Sequence, residues 1–91
     1  MSFFGSTYSN TPHHLHEADV RHLVSSNRVA SVDYHDEQYV ETAILAHRDS
    51  EHRISMQKIH DVLTSLRNEG KISEDDKKGL MVVFKDFFAH I

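Results

Sequence analysis

Nine histidines in 91 residues give this chain its chemical character: His13, His14, His16, His22, His35, His47, His52, His60 and His90. Imidazole is the ordinary side chain that changes charge near neutral pH, and its neutral form is a common metal ligand. Some of the nine lie four residues from a carboxylate: His13 with Glu17, His47 with Glu51, and His90 with Asp86. On a helix that spacing puts both groups on one face, as helical metal sites require. The rest of a bundle metal site is missing. No pair of Glu-x-x-His motifs occurs, His-Glu-x-x-His does not occur, and the carboxylates fall near expected helix ends. What remains is a loose surface set, His13, His14 and His16, suited to weak and unselective metal binding.

His16 and His47 differ from the others because each continues an apolar stripe. That places them as half-buried imidazoles, either held by one hydrogen bond or titrating at a helix–helix or subunit contact. Burial disfavours the charged form. As pH-sensing residues they would then weaken the fold, or its dimer, as pH drops from ~6.5 towards ~5.

A second stretch with motif-like texture is "EGKISEDD", Glu69 to Asp76. A calcium loop needs oxygen ligands at its first, third and fifth positions, glycine at the sixth and a bidentate carboxylate at the twelfth. With Gly70 as the sixth, Arg67 becomes the third and Asp76 the twelfth. A cation stands where calcium needs a ligand. The same letters describe a helix end, a glycine turn and a serine-capped helix, and that is the expectation.

Catalytic motifs are absent from the sequence. There is no cysteine, which removes thiol chemistry, thiolate metal sites and disulfides together. No nucleophile elbow and no phosphate-cradling loop occurs. The expectation is a non-enzyme that needs no cofactor.

Four amphipathic segments must position these residues. Thr11 and Pro12 have the composition of a helix start, followed by His16, Val20, Leu23 and Val24 at helical spacing. Ser31 or Asp33 opens a second segment in which Val40, Ala43, Ile44 and His47 line one face, widened by Tyr39, Leu45 and Ala46. This helix is expected to be the most buried. Ser55 precedes a stripe of Ile59, Val62, Leu63 and Leu66, with Gly70 just beyond its end. Ser73, with Asp76 three residues later, matches a capping box before Leu80, Val83, Phe84, Phe87, Phe88 and Ile91. The spacing predicts helices near 12–26, 34–48, 55–68 and 74–90. The fold class is therefore all-α, a compact bundle of about four helices over residues 11–91. Residues 1–10 form a flexible N-terminal arm, with Phe3 and Phe4 as its adhesive features.

The fourth segment has an apolar face wider than one neighbouring helix covers. Met81, Val82, Phe84, Phe87 and Phe88 are accordingly expected to bind a partner, most simply a second copy in a homodimer.

Formal net charge is −4, and the ten bases are scattered among fourteen acids. A phosphate backbone needs cations gathered on one face, so nucleic acid is a disfavoured partner. No apolar run approaches the ~18 residues of a membrane span, and the first residues lack a signal-peptide pattern. A cytoplasmic protein is the expectation. By elimination the function is a small non-enzymatic protein-binding module: an adaptor, regulator or inhibitor of a larger protein. The alternatives are a histidine-dependent metal- or pH-responsive protein, and an acidic helix-turn-helix-like regulator built on the second and third helices.

Overall fold

The computed structural model describes residues 8–25 and 34–90. Among these, the chain runs β1 (His13–His14), α1 (Glu17–Val24), α2 (Tyr34–Ala46), β2 (Arg53–Ile54), α3 (Met56–Asn68) and α4 (Glu74–Ala89). The helices pack in a ring, α1 on α2, α2 on α3, α3 on α4, and α4 back on α1. This is an all-α bundle. Beside it lies a small antiparallel ribbon, with His13 opposite Ile54 and His14 opposite Arg53. No helix among the described residues is long and apolar enough to cross a membrane. Phe3, Phe4, Ser31, Asp33 and Ile91, named above, lie outside the described residues.

The two later helices start and stop where their sequence signals stand. The Ser55 hydroxyl accepts from Lys58 N–H at 3.1 Å and caps α3. Ser73 and Asp76 close a reciprocal box at the start of α4: Asp76 N–H donates to the Ser73 hydroxyl and Ser73 N–H to the Asp76 carboxylate, both at 3.0 Å. Between these helices, Gly70 sits at φ 78°, in the left-handed region. Lys71 N–H donates back to the Leu66 carbonyl at 2.9 Å and Gly70 N–H to that of Arg67 at 3.0 Å. That pair of bonds is the Schellman closure of a helix. "EGKISEDD" is a turn. A Cβ on Gly70 would meet nothing within 4 Å, so only the backbone opposes a side chain there. Gly70→Ala should therefore cost about 1 kcal/mol in urea unfolding; no loss would mean that the turn relaxes out of its left-handed conformation.

The first helix begins later than its signals suggest. Thr11 and Pro12 do not start α1; the helix starts at Glu17, with His16 in the cap position. Residues 13–14 are instead drawn out as a strand by β2, and Leu15 N–H donates to the His52 carbonyl at 3.0 Å. Proline favours an extended residue before it and needs no donor, so Pro12 suits a strand approach as well as a helix start. His13 and Glu17 thus do not share a helix face.

The packed domain also begins before residue 11. Tyr8 stacks on His60, with ring centroids 5.0 Å apart, and packs against the core. Gln57 N–H donates to the Ser9 carbonyl at 3.0 Å.

The core is built chiefly from α3 and α4 rather than from α2. Ile59, Val62, Leu63 and Leu66 from α3 meet Leu80, Met81, Val83, Phe84 and Phe88 from α4. Among the described side chains of α2 only Val40 and Ile44 are fully buried, while Tyr39 and Ala46 are exposed, so α2 is not the most buried helix. The wide face of α4 is largely covered within the chain, because it meets both α3 and α1. Met81, Phe84 and Phe88 are buried, Phe87 is half-buried, and only Val82 stands out. One exposed valine does not call for a second copy.

Candidate functional site

Two histidines lie on the surface more than their stripes imply. His16 and His47 are both exposed, so neither is the half-buried imidazole expected. The reason for His16 is its place ahead of the first turn of α1, where the stripe has not begun; its backbone N–H donates to the Asp19 carboxylate at 3.4 Å. His47 follows the last residue of α2 and folds back on it, Nδ1 donating to the Ala43 carbonyl at 2.8 Å. His90 does the same at the end of α4, reaching the Asp86 carbonyl at 2.7 Å. These rings satisfy carbonyls that a helix end leaves unpaired.

His13, His14 and His16 do line one cleft, together with Asp19, Arg53 and Phe87. They do not make a metal centre. The His13 ring packs against Phe88 at 5.2 Å between centroids, while His14 stacks near His16 at 6.2 Å. Arg53, a fixed cation, shares the space. No group of three His, Asp or Glu side chains among the described residues could hold an ion.

The link between α2 and α3 offers a second left-handed residue at the sixth position of a calcium-loop count. Counted from His47 as the first position of a calcium loop, Asp49 and Glu51 take the third and fifth and Ile54 the eighth. His52, at the sixth, is left-handed with φ 62°. Yet the cation place is filled from within. Arg53 Nη2 lies 2.5 Å from Glu51 Oε1, and Arg53 Nε 3.4 Å from Asp49 Oδ2. Lys58 stands at the twelfth position, where a bidentate carboxylate belongs. The loop is locked by its own guanidinium.

Asp49 organises that lock. Its Oδ1 accepts the backbone N–H of Glu51 at 2.8 Å and of Arg53 at 2.9 Å. The Arg53 N–H chiefly holds its carboxyl below the ordinary aspartate range; desolvation, the next influence, opposes it, and the Glu51 N–H and the Arg53 guanidinium add to the lowering. A depressed folded pKa gives stability that is present above the unfolded value and lost as pH falls through the folded one. Asp49→Asn should thus lower Tm at neutral pH, and the gap to the native chain should close in acid. A gap that stays constant down to the acid limit would remove Asp49 as its source.

A concave surface runs between α2 and α3. Two adjoining clefts of about 370 and 510 Å³ share Ala43, Leu66 and Glu69 in their lining. Ala43 and Ala46 on α2 are too short to close the crevice, and Val62 and Leu66 of α3 form its apolar floor. Tyr39 stands 46% exposed at one wall, with Lys71 Nζ 4.4 Å from its ring centroid. That distance is a cation–π contact, which fixes the ring upright beside the crevice. Asp61, Lys58 and His47 rim the other end. Sequence reasoning missed this crevice by placing Tyr39, Ala43 and Ala46 together on a buried face. The signal was the small size of two stripe residues one turn apart.

No protein-family model, curated protein or solved structure matches the chain.

Proposed function

We propose that the chain is a small, non-enzymatic protein-binding module, and that the α2–α3 crevice receives an amphipathic helix of its partner. The observation that carries this reading is an exposed tyrosine beside an apolar floor left open by two alanines. Helix-in-groove recognition needs these parts: apolar anchor sites spaced along a trough, and polar groups at its rim. Tyrosine is also enriched where interfaces draw most of their energy. Asp61 and Glu69 on one rim, with Lys58 and Lys71, would set the register of the incoming helix rather than its affinity.

The test is comparative capture from native cell extract. Ala46→Arg fills the crevice from an exposed position, and Tyr39→Ala removes its wall; circular dichroism should show both variants folded. A partner retained by the native chain should be lost by both. The same partner recovered in equal amount by all three proteins would move the interface elsewhere.

A further inference from the structure

A second surface has a different chemistry. Val82 is 57% exposed, the more exposed of the two large apolar side chains on the described surface. Lys77, Lys78 and Lys85 share its cleft, and Tyr8 and His60, stacked on each other, form the opposite wall. Lys78 lies four residues before Val82 and Lys85 three after, so on α4 the two ammonium groups flank the valine along one face. Met81 supplies apolar surface beneath.

The acid that lines this cleft, Glu74, is held by Arg67, whose Nη1 lies 2.8 Å from its carboxylate. Asp75 and Asp86, the other exposed acids of α4, do not line it. None of the three lysines forms an ion pair among the described residues. Three cations therefore surround one apolar anchor point on a chain whose net charge is −4.

We propose that this face of α4 docks an acidic segment of a partner protein, with an apolar side chain of that segment seated on Val82 between the lysines. Charge complementarity selects the occupant. A long polyanion would meet the whole negative molecule as well as the patch, and three cations release few counterions. A short acidic segment meets only the patch, and its apolar residue covers a valine that stands exposed among the described residues. The face shares no lining residue with the α2–α3 crevice, so the two surfaces can be tested apart.

The probe is a short capped peptide built of Glu and Leu, titrated into isotope-labelled chain, with a Lys-and-Leu counterpart as control. The acidic peptide should shift the Val82 methyl resonances and the amides of Lys77, Lys78 and Lys85, and its Kd should rise with salt. Lys78→Glu and Lys85→Glu should each weaken binding about two- to fivefold, as exposed charge pairs do. Val82→Ser should weaken it at unchanged salt dependence. Absence of shifts, equal shifts from the basic peptide, or affinity unmoved by both charge reversals would overturn the proposal. So would tighter, lysine-dependent binding of a single-stranded oligonucleotide or of anionic lipid vesicles, either of which would make this a polyanion site.

Discussion

Phe84→Ala should remove a large part of the stability of this domain, about 3–5 kcal/mol. Phe84 is fully buried and is the largest side chain in that state among the described residues. It sits on α4, which packs against both α3 and α1, so its ring fills space that two neighbours define. Deleting it loses the transfer energy of the ring and leaves a cavity that those helices cannot easily collapse into. A domain of this size has only about 5–15 kcal/mol in total, so the variant should unfold at much lower urea. Phe87→Ala, at a half-buried site, should cost less, and Val82→Ala should be close to neutral. The ranking separates a core from an intersubunit face. If Phe84 packed chiefly against a second copy, its loss would depend on protein concentration, and the three variants would weaken association together.

Element ends were legible wherever the signal is local. Ser55, Ser73, Asp76 and Gly70 each act within a few residues of where they stand, through bonds to backbone groups that any helix end leaves unpaired. Those bonds do not depend on the rest of the fold, so α3 and α4 could be bounded by inspection. The start of α1 was not legible for the opposite reason. Residues 13–14 are extended because β2 pairs with them, and β2 lies beyond two helices in the chain. A proline followed by histidines fits a first helical turn or an edge strand equally, and only the distant partner decides.

The surfaces were legible only in part, because exposure depends on neighbours. Met81, Val82, Phe84, Phe87 and Phe88 form one apolar face on paper, and the ring of helices divides it into core and surface. In the α2–α3 crevice the deciding residues are alanines, which a periodicity count treats like any other apolar residue although they fill less space. His47 and His90 show a third limit. Their spacing to carboxylates suggested side-chain pairs; His90 Nδ1 does lie 3.7 Å from Asp86 Oδ1, yet in both residues the ring nitrogen bonds a carbonyl one turn back. A helix end offers unpaired carbonyls to any donor within reach, and the same spacing serves both arrangements.

Leu15→Ala should cost about 2–5 kcal/mol, and that cost discriminates between the two starts for the first helix. If a helix ran from residue 12, Leu15 would share a face with Asp19 and His22, away from Val20 and Val24, and its truncation would be nearly neutral. In the structure Leu15 is fully buried between the ribbon and the cap of α1. Its backbone is held from both sides: N–H donates to the His52 carbonyl at 3.0 Å, and its carbonyl accepts from Arg48 Nη1 at 2.9 Å. The side chain therefore has no easy route to relax when it is shortened. Arg48→Ala should reproduce part of the loss by leaving that carbonyl without its charged donor, about 1–3 kcal/mol if water does not replace it. His16→Ala, one residue on but exposed, should cost far less than either. Urea unfolding of the three variants measures all of this. A near-neutral Leu15→Ala alongside a costly His16→Ala would restore the helix start at Pro12 and remove the ribbon from the fold.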